Sequence, residues 1–234
     1  MKKSILSFLI FFSIINFAQK NNADKLISRI KDKINKVDNY SSEVEISVKM
    51  DFLKMPKSKA EVFFKKPDKF KLHSEKFAIL PRAGIDFNPQ KILDNDFTSE
   101  LIGDTLIDNK KLSVIKITPN VDSIKFKSAK LVIDPTEFLI VKIILSTEQN
   151  ANITTNFLYS DQKEFALPSE IKIILDFSQI EEDEKNPKRG KTIPSNFKGG
   201  ITINYSNYKV NQGIDDSIFI DEKEEENDNS KNKK

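Results

Sequence analysis

The side chains that most often carry out chemistry in proteins are scarce in this chain. Its 234 residues include no cysteine and one histidine, His73. The lack of cysteine excludes thiol catalysis, iron–sulfur clusters, zinc ribbons and disulfide frameworks. A site with several histidine ligands is excluded too, and a Ser-His-Asp triad has one candidate base. His73 lies on the polar side of its strand beside Lys71 and Glu75, which is typical of a surface histidine, so we expect a protein that is not an enzyme.

The densest cluster of possible metal ligands is the acidic run from Glu181 to Glu184. Calcium loops alternate carboxylates with turn-forming residues, and this contiguous run does not. The hydrophilic stretch 179–196 around it is instead typical of a solvated loop. No phosphate-binding loop or nucleophile motif is present, and 6 glycines leave little room for a backbone cradle around a phosphate. We therefore expect no metal and no cofactor.

The charge balance disfavours a nucleic-acid partner. The chain has 38 Lys and Arg residues against 35 Asp and Glu residues, and its only arginines are Arg29, Arg82 and Arg189. Nucleic-acid binding needs a concentrated cationic surface, which is usually rich in arginine.

The N-terminus has the pattern of an export signal. Lys2 and Lys3 precede an apolar run from Ile5 to Phe17, and Ala18 stands where the sequence becomes polar. The run is shorter than the roughly 20 residues that a membrane-spanning helix needs, so it predicts a signal peptide over 1–18. The lysine- and isoleucine-rich composition is typical of a bacterium, which places the exported protein in the periplasm. Residues 19–220 are then one domain, and 221–234 form a charged, disordered tail.

The mature sequence opens with a helical pattern and then changes to a strand pattern. From Ala23 to Val37 apolar residues recur at spacings of three and four, which predicts an amphipathic helix. From Val44 to Phe52 apolar and polar residues alternate, which predicts a strand with one dry face. Further strands are predicted at 60–64, 70–72, 99–107, 112–118, 123–134, 139–147, 151–159, 170–177 and 200–210.

About ten strands joined by short turns predict a mainly β, α+β fold with one open, strongly curved antiparallel sheet that resembles an incomplete barrel. The segment from Phe77 to Phe97 carries apolar residues with no clean period and two prolines. We expect it to form short helical turns over the concave face of the sheet. It either completes an ordinary core or, together with the N-terminal helix, acts as a lid over a cavity for an apolar ligand.

Four parts of the sequence carry a family resemblance. They are the entry into the first strand, 40–45, the strand-turn-strand 60–71, the hairpin 131–136 and the ending 208–219. Together they resemble the periplasmic outer-membrane lipoprotein carrier (LolA-like) family. The resemblance implies an incomplete β-barrel closed by helices over a hydrophobic cavity. It also implies a monomeric carrier of lipoprotein acyl chains, with transfer partners at the inner and outer membranes.

The resemblance also places a lipid-binding site. Its predicted lining is apolar, from the lid and two facing strands: Phe64, Phe70, Phe77, Ile79, Leu80, Ile85 and Phe87. Lys66 stands where family members have an arginine before a proline, and is either a lid anchor or head-group contact or an ordinary turn lysine. The tryptophan-containing segment usual in close relatives is absent. The alternative function is a non-catalytic envelope binding or sensor module that acts through protein contacts, with the loop at 181–191 as its contact surface.

Overall fold

The computed structural model describes residues 22–51, 53–74, 89–120, 126–147, 151–177 and 197–220. Helix α1 covers residues 22–34 of this part. Its apolar stripe faces inward, and Ala23, Ile27 and Ile30 are each less than 5% exposed. The helix ends three residues before the predicted end because Asn35 and Lys36 form a turn. Val37, beyond that turn, is buried all the same.

The strands match the predicted ones closely. They are β1 (Asn39–Met50), β2 (Leu53–Lys54), β3 (Ser58–Lys65), β4 (Lys69–His73), β5 (Phe97–Ile107), β6 (Lys110–Pro119), β7 (Phe126–Asp134), β8 (Leu139–Thr147), β9 (Asn152–Leu158), β10 (Glu170–Asp176) and β11 (Lys198–Val210). A short helix α2 (Pro89–Leu93) and the 3₁₀ turns Lys163–Phe165 and Asp216–Phe219 complete the elements.

The strands form one antiparallel sheet in the order β4-β3-β1-β11-β10-β9-β8-β7-β6-β5, and β2 pairs with the end of β1. Neighbours in sequence pair through tight turns, such as the one at Asp108 and Asn109, where both residues have positive φ. The pairing of β1 with β11 brings the first and last strands together. The prediction of a mainly β fold with one open antiparallel sheet is therefore confirmed.

The core lies between α1 and one face of the sheet. Alternate residues of the strands face inward, so that Ile46, Val62 and Ile203 are completely buried together with Ile30 of the helix. Leu93 of α2 joins the same cluster at 1% exposure. The C-terminal end of the predicted lid segment is thus helical and packs against the core.

Several predicted segments lie outside the described residues. They are the signal peptide 1–18, the loop 179–196, the tail 221–234 and most of the lid, residues 77–88. Within the described ranges, none of the helices has the length and apolar character needed to span a membrane.

Candidate functional site

All four tyrosines of the chain line a single pocket at one end of the sheet. Tyr40 lies at the start of β1, and Tyr205 and Tyr208 lie near the end of β11, which pairs with β1. Tyr159 directly follows β9. Because antiparallel neighbours bring the end of one strand beside the start of the next, these residues, which are far apart in sequence, share one site at the same end of the sheet.

A β-bulge turns Tyr208 towards the pocket, on the same face as Tyr205. Between the pairs Glu43–Ser206 and Ser41–Lys209, β11 contains one residue more than β1. Asn207 in this bulge has a φ of 54°, a left-handed conformation that asparagine tolerates better than most residues. The buried Ser42 hydroxyl donates a hydrogen bond of 2.7 Å to the carbonyl of Ser206 and so supports the bulge.

The aromatic rings form a continuous wall. Tyr40 stacks on Phe64 with ring centroids 5.4 Å apart and meets Tyr208 edge-on at 5.6 Å. Tyr208 stacks in turn on Tyr205 at 5.8 Å, with the ring planes 8° apart. Such offset contacts stabilise the wall beyond the area they bury.

The rest of the pocket is apolar. Its cavity has a volume of about 70 Å³, which is below the range of ligand pockets, and it is partly open to solvent. Helix α1 and its exit contribute Ile30, Ile34 and Val37. The remaining lining residues are Phe70, Pro89, Ile140, Phe157, Phe165, Ala166, Leu167, Pro168 and Ile171. A surface of this composition suits an apolar ligand that needs no directional bonds.

The buried tyrosine hydroxyls are satisfied by the backbone. Tyr159 donates to the carbonyl of Ile140 and Tyr208 donates to the carbonyl of Pro168, both at 2.8 Å. Burial raises the pKa of both phenols above the ordinary value. Both side chains therefore stay neutral at physiological pH, and the wall presents rings rather than charge to a ligand.

Lysines fix the C-terminal half of α1, which forms one side of the pocket. Lys66, in the turn after β3, donates to the carbonyl of Asn35 at 2.6 Å and lies 3.2 Å from the carboxylate of Asp38. On the other side, Lys33 donates to the carbonyls of Glu137 and Lys163 at 2.7 and 3.0 Å. A cation at a helix C-terminus also interacts favourably with the helix dipole.

The structure brings two of the predicted site residues together. Phe64 and Phe70 are a cross-strand pair of β3 and β4, and both line the pocket. Lys66 lies beside them and holds the end of α1. The predicted lid residues Phe77, Ile79, Leu80, Ile85 and Phe87 lie outside the described residues, so their place in the site stays a prediction.

Sequence reasoning did not identify the tyrosines as site residues. A strict period of two puts Tyr205 and Tyr208 on opposite faces of β11, and only the bulge at Asn207 places both inward. One signal was present in the sequence, because Tyr40, Tyr159 and Tyr208 fall at or near the ends of strands. Amphipathic rings with a polar tip suit such a rim between dry core and solvent.

The other candidate for chemistry, His73, lies exposed on the edge strand β4, opposite Glu61 of β3. Within the described ranges, no cluster of three or more His, Cys, Asp or Glu side chains is arranged to hold a metal ion.

Comparisons with known proteins place the fold. No family model and no curated protein matches the sequence. Among solved structures, the chain is similar to a domain from Vibrio parahaemolyticus named for outer membrane lipoprotein sorting, with 8% identity, a TM-score of 0.61 and 86% of this chain and 97% of that chain covered. A DUF1329 family protein from Desulfovibrio piger is similar at 11% identity and a TM-score of 0.54, over 86% of this chain and 97% of that one.

A LolA superfamily protein from Nitrosomonas europaea is similar at 12% identity and a TM-score of 0.51, over 84% of this chain and 98% of that one. The sequence resemblance and the architecture thus agree: this chain has the LolA-like fold.

Proposed function

We propose that this protein is a non-enzymatic carrier that binds the acyl chains of lipoproteins in the tyrosine-lined pocket and shuttles them towards the outer membrane. The observation that carries the proposal is the apolar, aromatic pocket on the inner face of the sheet, between α1 and the ends of β1 and β11. The name of the Vibrio domain of the same fold supports lipoproteins as the cargo.

An acyl chain has a large free-energy cost when it is exposed to water. A single acyl chain of about 15 methylenes loses on the order of 12 kcal/mol of hydrophobic stabilisation when it is left in water, at roughly 0.8 kcal/mol per methylene. The aliphatic and aromatic lining replaces that contact without directional bonds. Because the hydroxyls of Tyr159 and Tyr208 are already bonded to the backbone, the lining keeps no unsatisfied phenol there when the ligand leaves.

Two finer parts of the proposal concern regions that the structure does not describe. The segment with Phe77, Ile79, Leu80, Ile85 and Phe87 is proposed to cover the pocket as a lid. The N-terminal signal is proposed to export the chain to the periplasm, where a lipoprotein carrier meets both membranes.

Uptake of a fluorescent acyl probe, together with native mass spectrometry of the purified protein, tests the pocket. Phe70 lines the pocket from β4, whereas Phe63 of β3 points to the outer face of the same hairpin. We expect Phe70→Ser to weaken probe binding at least about tenfold and Phe63→Ser to leave it close to wild type. Circular dichroism of both variants checks that the fold is retained.

Failure of the wild-type protein to take up the probe or carry any lipid would refute the carrier function. Co-purification of such a lipid-free protein with another envelope protein would then favour the binding or sensor module. Phe77→Asp and Ile79→Asp test the lid separately, because unchanged uptake in both would reject the lid and leave the described pocket in place.

A further inference from the structure

The outer face of the sheet carries a stripe of lysines without carboxylates. Two adjacent rows of outward-facing residues run across seven strands, from β6 to β1 through β11. In register, the first row is Lys116, Lys130, Ile144, Thr154, Ile174, Gly200 and Lys49. The second row is Val114, Val132, Lys142, Asn156, Lys172, Thr202 and Ser47, of which Val132 is buried. We call these fourteen positions the lysine stripe.

The five lysines of the stripe differ from nearby lysines because they lack carboxylate partners among the described residues. The flanking rows do contain carboxylates, and there the lysines are paired: Lys198 lies 3.4 Å from Asp176, and Lys57 lies 2.6 Å from Glu45. Within the described ranges, no stripe lysine has a carboxylate oxygen within 4.0 Å. Glu100 of the edge strand β5 faces Lys116 and bounds the stripe at that end.

The arrangement of these lysines does not stabilise the sheet. Lys116 and Lys130 are directly opposite each other on β6 and β7, and like charges in that position repel. Lys142 and Lys172 both flank Asn156 in the neighbouring row. None of the 35 acidic residues of the chain occupies one of these fourteen positions. Local repulsion of this kind is relieved when an anionic surface covers the patch.

Apolar side chains accompany the charges. Ile174 is 42% exposed in the middle of the stripe, next to Lys172 on β10. Ile144, two strands away in the same row, is half-buried. Lysine stems and isolated aliphatic side chains together suit an interface where a charged layer borders an apolar one.

We infer that the lysine stripe is a docking surface for a bilayer that contains anionic phospholipids. Its width is about 29 Å, from six strand spacings of about 4.8 Å. Lysine provides a flexible point charge rather than the planar fork that arginine offers to a protein carboxylate, and the stripe lines neither the tyrosine-lined pocket nor the pocket around Phe63 and His73. Such features match a fluid array of phosphate head groups better than one fixed acidic partner.

This inference goes beyond the proposed function and does not depend on it. The stripe lies on the opposite face of the sheet from the tyrosine-lined pocket. Docking through the stripe therefore leaves the pocket free, so that a protein partner can reach it while the carrier is adsorbed on a membrane.

Co-sedimentation with vesicles of phosphatidylcholine and phosphatidylglycerol tests the docking surface. The variant Lys116→Gln/Lys130→Gln/Lys142→Gln/Lys172→Gln removes four stripe charges. A matched control makes the same change at Lys25, Lys36, Lys59 and Lys209, which are exposed and lie outside the stripe. We expect the stripe variant to lose about tenfold or more in vesicle affinity and the control less than threefold. A lysine contributes to the binding free energy only when it lies near the anionic surface. Binding of the wild type should fall steeply with added salt.

Three results would overturn the inference. They are equal losses in both variants, binding of wild type to pure phosphatidylcholine vesicles with the same affinity, and no binding to either vesicle. The last result, with stripe-dependent capture of an acidic envelope protein, would assign the surface to a protein instead. Uptake of the acyl probe, measured on the same samples, reports on the pocket alone and separates failure of the stripe from failure of the carrier function.

Discussion

Tyr205 and Tyr208 stack with their ring centroids 5.8 Å apart and their planes 8° apart, although they are three positions apart along one strand. In a regular strand such a pair points to opposite faces. The extra residue of the bulge at Asn207 shifts the alternation by one and turns Tyr208 inward. The aromatic wall of the pocket therefore depends on one irregularity of the backbone.

Asn207→Val should strain the bulge and favour the regular alternation that turns Tyr208 to the outer face, because a β-branched residue tolerates a positive φ poorly. The pocket then loses the ring contact with Tyr40 and the hydrogen bond to Pro168. We expect acyl-probe affinity to fall at least about fivefold, equivalent to about 1 kcal/mol. Asn207→Gly keeps the left-handed conformation and serves as the control, with affinity close to wild type. The same affinity in the two variants would contradict the role of the bulge.

Thr155→Val should stabilise the protein. Thr155 is completely buried on β9, and among the described residues its hydroxyl oxygen has no hydrogen-bond partner. Replacing the hydroxyl with a methyl group of similar shape removes a desolvation cost of about 1 kcal/mol. Urea denaturation measures the gain. Thr154→Val on the outer face is the matched control and should change the free energy of unfolding by less than about 0.5 kcal/mol. A loss of stability in Thr155→Val would show that the hydroxyl has a partner.

Lys66→Met should loosen the end of helix α1. The substitution removes the bond to the carbonyl of Asn35 and the ion pair with Asp38 but keeps most of the apolar stem. We expect the free energy of unfolding to fall by about 1 kcal/mol, because the variant loses a hydrogen bond from a charged donor to a helix C-terminus. Lys59→Met on β3, exposed and without an ion pair among the described residues, is the control. Hydrogen exchange of residues 31–37 should rise in the Lys66 variant alone, and unchanged exchange there would reject the anchor.

Periodicity was sufficient to predict the sheet and the leading helix. The apolar positions of β1, Val44, Ile46 and Val48, alternate without a break, and all three are buried. Only part of the pocket lining was predicted from the sequence. Phe64 and Phe70 were predicted from the family resemblance and lie on a regular hairpin, whereas the orientation of Tyr208 depends on a bulge that no local pattern marks. The lysine stripe needs the register of seven strands, which a single sequence does not specify.

The carboxyl of Asp134 should make stability depend on pH. Its side chain is 3% exposed, pairs closely with Lys110, and accepts hydrogen bonds from the backbone N–H groups of Thr136 and Glu137 at 2.9 and 3.1 Å. Burial alone would raise the pKa of this carboxyl, but the hydrogen bond from Lys110 and the backbone donors outweigh burial and lower the pKa below its ordinary value.

A lowered carboxyl pKa in the folded state contributes stability that is fully present above the unfolded value near 4 and is lost as the pH falls through the folded value. Asp134→Asn should therefore cost about 1–2 kcal/mol at pH 7, with a smaller difference from wild type at pH 2.5, which lies below the unfolded value, so that part of the stabilisation is lost there. Urea midpoints at the two pH values measure this convergence. Asp32→Asn, at an exposed position of α1, should show the same small difference at both. A gap for Asp134→Asn that stays constant or widens on acidification would show that hydrogen-bond geometry, rather than the charge of Asp134, stabilises the turn between β7 and β8.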